Sequence, residues 1–254
     1  MNHSSAHGLI AHRGASKDAP ENTLAAFRLA WEQGADAVEC DIRLSLDGRI
    51  MVMHDQSALR TTGADLVIAR HHSADLRNLD AGKWKSPAFA GERIPFLEEV
   101  LEGMPEGKRL FIEIKCGVEI LPALGAVLPA DSPSRCPLIG FDSDIMAETK
   151  RRFPDHKVYL LCEFSRRLPL SGIRTDSATL IEHAKRQKLD GLDVRSRGLT
   201  RNQVQRVRDA GLDVLAWTVN SGDEAARLFS WGVQGITTDS PGLLRDQLSA
   251  IQPD

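Results

Sequence analysis

The stretch DGLDVRSRGLTRNQVQRVRDAGLDVLAWTVNSGDEAARLFSWGVQGITTDS, residues 190–240, decides the fold. Three short apolar runs, DGLDVRS, DVLAWTVN and QGITTDS, are separated by two polar segments whose apolar residues recur at helical spacing. Runs of this kind read as buried strands, and the segments between them as helices near Gln203–Ala210 and Glu224–Trp231. Each helix meets a glycine, Gly211 or Gly232, directly before the next strand, as expected where a helix hands over to an αβ loop.

The same alternation extends backwards. RLFIEIK, PLIGFDS and KVYLLCEF read as strands, with helices near Glu119–Leu128, Ile145–Arg152 and Ala178–Gln187. At the front, LIAHRG is a buried strand ending in a polar pair. LAAFRLAWEQ follows as a helix with Leu24, Phe27, Ala30 and Trp31 on one face, a stop at Gly34, and Asn22 or Thr23 as its cap. ADAVECDIRLS is the second strand, Asp47-Gly48 a turn, and RIMVMHD an extended return. About eight βα units make an α/β chain, a (β/α)8 TIM barrel. The alternative, an open doubly wound sheet, lacks a GxGxxG after its first strand. Residues 1–254 are expected to form a single domain with an insertion at about 56–108, after the second strand. The insertion loses clean periodicity but is too rich in large apolar residues for a disordered linker, and IPFLEEVLEGM brings the chain back as an amphipathic helix.

Composition narrows the function. Lys+Arg of 32 against Asp+Glu of 35 leaves a net charge of −3, which argues against broad nucleic-acid binding. No apolar run approaches membrane-spanning length, and MNHSSAHGLIAHRG has no basic-then-apolar leader, so a cytoplasmic chain is expected. Cys40, Cys116, Cys136 and Cys162 lack metal-type spacing and read as thiols, with Cys40 and Cys116 facing the packed layer.

In a barrel the chemistry collects at the carboxyl ends of the strands. His12, Glu39 with Asp41, Glu113 with Lys115, and Trp217 all fall there. An ExD pair alone is best read as a solvated strand face, and an ExK pair alone as an exposed ion pair. Their joint appearance among Val, Cys, Ile and Phe favours a site. Clustered buried carboxylates repel one another, and a divalent cation removes that conflict. Oxygen ligands select Mg²⁺ or Ca²⁺ over zinc, so Glu39, Asp41 and Glu113 are assigned to one metal. His12 and His54 each close an apolar strand beside a second polar residue and can share acid and base duties. Arg13 and Lys115 suit either the carboxylates or phosphate oxygens. Trp217 is open between packing and ligand contact. His3, His7, His71, His72, His156 and His183 are read as surface or structural.

These residues resemble the glycerophosphodiester phosphodiesterase family. HRG, PENT, AF, GAD, the E-x-D pair, DG and HD occur in family order between His12 and Asp55, followed by GERIPFLEEVL, FIEIK, AWTVN and GITTDSP. Phe96 stands where the family often has Thr, and LSLDG where a Thr-Lys-type pair is common; neither touches a catalytic position. The resemblance implies a barrel with a small insertion and a divalent metal on Glu39, Asp41 and Glu113. It further implies an acid/base pair in His12 and His54, and Arg13 and Lys115 against the phosphate. The expected reaction is hydrolysis of a small-molecule glycerophosphodiester, such as glycerophosphocholine or glycerophosphoethanolamine, to sn-glycerol 3-phosphate and an alcohol. Two other readings are weighed. A lysophospholipid substrate would need an apolar groove, for which Leu59, Val67, Ile68, Trp84 and Phe89 are candidates. A silent barrel would be expected to have lost a histidine or a metal carboxylate, and none is missing.

Overall fold

The computed structural model describes residues 8–129, 133, 135–164 and 176–251. Eight strands close into a parallel barrel: β1 (Gly8–Ala11), β2 (Ala37–Leu44), β4 (Arg109–Ile114), β5 (Leu138–Gly140), β6 (Val158–Cys162), β7 (Gly191–Arg195), β8 (Asp213–Trp217) and β9 (Gly235–Thr238). Each pairs with the next, and β1 closes the ring by pairing with both β9 and β2. This is the expected (β/α)8 barrel. The short β3 (Ile50–Val52) lies outside the ring, antiparallel to the far end of β2. Gly48, at φ 77°, makes the turn between them, as DG suggested.

Alternation along the strands builds two apolar layers. Val38, Cys40, Ile42, Leu110, Ile112, Leu192 and Val194 point outward, under the helices. Ile10, Ala37, Phe111, Ile139, Tyr159, Leu161 and Leu215 point inward and plug the barrel, with Trp217 packed on top. The side chains above that plug belong to the site.

The outer helices are α1 (Leu24–Glu32), α5 (Leu121–Val127), α6 (Ser143–Arg152), α7 (Ser177–Arg186), α8 (Arg201–Asp209), α9 (Gly222–Trp231) and α10 (Pro241–Ile251). Thr23, not Asn22, caps α1, its hydroxyl accepting from Ala26 N. The helix expected near Glu119 begins instead as a 3-10 turn, Val118–Ile120, leading into α5. The last helix, α10, was not anticipated from GLLRDQLSAI. It closes the ring of helices by packing on α9, and Gly242 N donates to Gln33 beyond the end of α1. No helix among the described residues is long and apolar enough to cross a membrane. His3 and His7 lie outside the described residues.

Between β3 and β4 the chain forms three short helices, α2 (Leu59–Thr62), α3 (Ser73–Arg77) and α4 (Leu97–Glu102). Met51, Met53, Ala58, Ile68, Leu76 of α3, Ala81 and Ile94 form a separate core, whereas α4 sends Leu97 and Val100 into the main core. Arg77 forks onto Glu99 at 2.7 and 2.8 Å, while Glu99 also accepts from Phe96 N at the start of α4. Of the residues considered for an apolar groove, Ile68 is consumed by this core, whereas Leu59 and Trp84 are exposed.

Candidate active site

Because Val38, Cys40 and Ile42 face outward, Glu39 and Asp41 must face the barrel axis; β4 repeats this with Glu113. Parallel pairing puts Asp41 in register with Glu113. One oxygen from each of Glu39, Asp41 and Glu113 lies within 4.8 Å of the others, and all three residues are buried. Glu39 Oε1 and Asp41 Oδ1 have no hydrogen-bond partner among the described residues. Burial, reinforced by the Asp41 and Glu113 charges, drives the Glu39 pKa well above the carboxylate range. Burial and Asp41 push Glu113 up to about 7, against the pull of Lys115. Buried, mutually repelling, orphaned carboxylate oxygens are the donor set of a hard divalent cation, so these residues fit the expected metal.

Two fixed cations flank the carboxylates. Lys115 Nζ donates to Glu113 Oε1 at 2.7 Å and lies 3.6 Å from Asp41 Oδ1. Arg13, at φ 55° in the turn after β1, donates its backbone N–H to Glu39 Oε2 at 2.9 Å. Its Nε stands 3.1 Å from Asp41 Oδ2, close enough for an ion pair but out of hydrogen-bond line, and its Nη1 donates to Glu21 Oε1 at 2.9 Å. Burial alone would lower the Arg13 pKa; Asp41, Glu39 and Glu21 reverse that and keep it charged. Gly14 lets the turn press against α1: at φ 83°, a Cβ there would sit 2.6 Å from the Ala26 carbonyl carbon.

Asn22 is no helix cap. Its Nδ2 donates to Asp41 Oδ2 at 2.8 Å and its Oδ1 accepts from Asp41 N at 3.2 Å. It thereby sets the carboxylate's orientation.

The two histidines are held alike. His12 Nδ1 is 2.7 Å from Asp239 Oδ1, just past β9. Burial alone would raise Asp239, but hydrogen bonds from His12, Asn220 and Ser16 hold it at about 2. An ionised Asp239 accepts, so Nδ1 carries the proton and Nε2 is left for chemistry. His54 Nδ1 is 2.7 Å from Asp55 Oδ1. Asp55 also stays below its ordinary range despite burial, held there by Arg60 and His54. Burial lowers the His54 pKa, against the pull of Asp41 and Asp55. Arg43 clamps the backbone of both arms: Nε and Nη2 donate to the His54 carbonyl at 2.9 and 2.7 Å, and Nη1 to the Lys115 carbonyl at 2.8 Å.

His12, Arg13, Glu39, His54, Glu113, Lys115 and Trp217 line one cavity of about 160 Å³. Asp41, fully buried, sits behind them. The sequence-predicted residues are therefore brought together. Trp217 packs: its ring lies edge-on to Phe141 at 5.5 Å and its Nε1 donates to the Asp193 carbonyl, while the ring also lines the cavity. Sequence reasoning missed Asn22, Asp239, Phe141, Asp193 and the Glu21–Arg60 pair. Asp239 was within reach, since GITTDS places it just after a strand. Nothing local marks Arg60.

Residues 12–243 match the glycerophosphoryl diester phosphodiesterase family. The chain is 32% identical over 245 residues to a glycerophosphodiester phosphodiesterase of Caldanaerobacter subterraneus, covering 93% of this chain and 95% of that one. It superposes on a phosphodiesterase of Oleispira antarctica, solved with the product sn-glycerol-3-phosphate, with a TM-score of 0.83 and 30% identity over 95% and 96% of the two chains. A glycerophosphodiester phosphodiesterase of Thermotoga maritima gives 0.76 and 26% identity over 96% and 99%.

Proposed function

Because this chain belongs to the glycerophosphoryl diester phosphodiesterase family and is a phosphoric diester hydrolase, we propose that it cleaves glycerophosphodiesters to sn-glycerol 3-phosphate and an alcohol at the cavity between His12 and His54. One observation carries the reading. Three buried carboxylates, two fixed cations and two aspartate-held histidines converge on one small cavity.

Glu39, Asp41 and Glu113 would hold one divalent cation, Mg²⁺ or Ca²⁺, which when bound supplies Lewis-acid polarisation of the phosphoryl group. Arg13 and Lys115 neutralise charge on the phosphoryl oxygens; both are prepositioned by the same carboxylates, so little reorganisation accompanies the reaction. His12 and His54 exchange protons through Nε2, their Nδ1 atoms being tied to Asp239 and Asp55. The order expected from sequence has His12 take the nucleophile's proton and His54 protonate the departing alcohol. Phe141, Ile139 and Leu161 offer apolar walls for the carbon skeleton.

The test is release of glycerol 3-phosphate from glycerophosphocholine by metal-stripped protein, with Mg²⁺ or Ca²⁺ added back. His12→Ala and Glu39→Ala are run beside it. Activity restored by metal and lost in both variants supports the reading. Metal-independent release, or full activity in Glu39→Ala, overturns the metal assignment. No release under any metal overturns the substrate.

A further inference from the structure

One buried group in the cavity has no part in the chemistry above. Asp193 lies in the middle of β7, paired in register with Leu161 on one side and Leu215 on the other. Its residue is 1% exposed, and Oδ1 has no hydrogen-bond partner among the described residues. The indole N–H of Trp217 goes to its backbone carbonyl and leaves the carboxyl alone. The inward-facing side chains that flank it on the two neighbouring strands, Leu161 and Leu215, are apolar, and Ile139 lines the same cavity. A buried carboxyl without a partner is costly, and the great majority of such groups are satisfied.

We infer that Asp193 binds a hydroxyl of the glyceryl arm, and so makes the enzyme prefer that arm over an alkyl one of the same length. The inference rests on the glycerophosphodiester reading and adds the residue that recognises the polyol. The geometry suits it: the cavity has apolar walls for carbon and, at about 160 Å³, room on the order of five waters at about 30 Å³ each, which fits a small polyol. Burial, with the Glu113 charge adding to it, pushes Asp193 up to about 8. At neutral pH the acid is then mostly protonated, offering one O–H donor and one acceptor oxygen, the complement of an alcohol.

Binding of two monoesters tests this without depending on turnover. Glycerol 3-phosphate and propyl phosphate share charge and length and differ only in the hydroxyls; calorimetric titration into metal-loaded protein gives their dissociation constants. The wild-type protein is expected to bind glycerol 3-phosphate about 10–100-fold more tightly. In Asp193→Leu, where an apolar side chain of similar size meets apolar neighbours, the ratio falls to within threefold. Asp193→Asn, which keeps a donor and an acceptor, retains a preference of at least several-fold. Asp193→Ala repeats the Leu result should the bulkier variant not fold. Equal binding of both ligands by the wild type overturns the inference, as does a full preference surviving in the Leu or Ala variant. Failure of the underlying reading looks different: wild-type protein that neither hydrolyses glycerophosphocholine nor binds glycerol 3-phosphate.

Discussion

Replacing Asn22 with alanine tests how the metal carboxylates are held. The side chain is 3% exposed and makes two hydrogen bonds with Asp41, one to the carboxylate and one from the backbone N–H. Truncation removes a charge-assisted bond and strands a buried donor, together costing about 2–4 kcal/mol. The residue also sits at φ 57°, a conformation asparagine tolerates and alanine resists by roughly 1 kcal/mol. For a chain of this size each kcal/mol moves the melting temperature by about 2–4 °C, so a fall of roughly 6–20 °C is expected. Asn22→Gly relieves the backbone cost but not the lost bonds, and recovers only a small part of it. Loss of such an outer partner typically weakens metal binding about 10–100-fold. The assays are thermal unfolding in chelator and Mg²⁺ titration by calorimetry, on wild type and both variants. An Asn22→Ala protein that melts within about 1 °C of wild type and binds Mg²⁺ equally well would refute the reasoning.

Four further outcomes are expected. Asp239→Asn removes the ionised acceptor of His12 Nδ1 and should lower kcat on the order of 10²–10⁴ with little change in KM; steady-state kinetics decide it. Metal-free protein should lose stability as pH rises from about 4.5 to about 7, because folded Glu113 holds its proton up to about 7 while the unfolded carboxyl releases it near 4.3. In that window the folded state binds more protons, so raising pH favours unfolding; a Mg²⁺-saturated sample showing the same decline in melting temperature would count against the metal assignment. A diester with a nitrophenolate leaving group needs no proton on departure, so whichever of His12→Ala and His54→Ala keeps activity on it identifies the general acid; equal loss in both would argue against divided roles. Arg60→Met should reduce kcat about 10-fold while leaving Mg²⁺ affinity within about threefold, because it frees Asp55 and Glu21 without touching a carboxylate of the metal cluster; unchanged kcat would show that the Arg60 bridge is idle.

The barrel was legible because each buried strand carries its own punctuation. LIAHRG, RLFIEIK and DVLAWTVN are apolar runs that end in polar residues, and chemistry in this fold is found at such ends. Glu39, Asp41 and Glu113 could be placed inside because strand alternation is strict: once Val38 and Ile112 are outside, the acids have only one direction left. What escaped notice depends on partners distant in sequence. His12 and Asp239 are 227 residues apart and Arg43 and Lys115 72 apart, and no local pattern encodes either meeting. Asn22 looked like a cap because it precedes a helix, but the left-handed turn carries its side chain into the barrel and leaves Thr23 to cap. Asp193 was hidden in plain alternation, since an acid on an inward strand position looks like one on an outward, wet position until the ring closes. The C-terminal helix was overlooked because no strand follows it to mark its end.

The run of contacts His54–Asp55–Arg60–Glu21–Arg13–Asp41 crosses from the segment after β3 to the first loop of the barrel and ends at the metal cluster. Arg60 is its only member on α2. This limits how the stretch from Gln56 to the start of β4, which leaves His54 and Asp55 in place, can be exchanged among related barrels. A transplanted segment of matching length, with its own satellite core intact, would fold and dock yet leave Asp55 and Glu21 without their shared guanidinium. Grafts that carry an arginine at this one position are expected to remain active, and grafts that lack it to be well-folded and slow. Modularity in this enzyme thus has a single-residue passport, which sits on the surface helix and is stamped in the barrel.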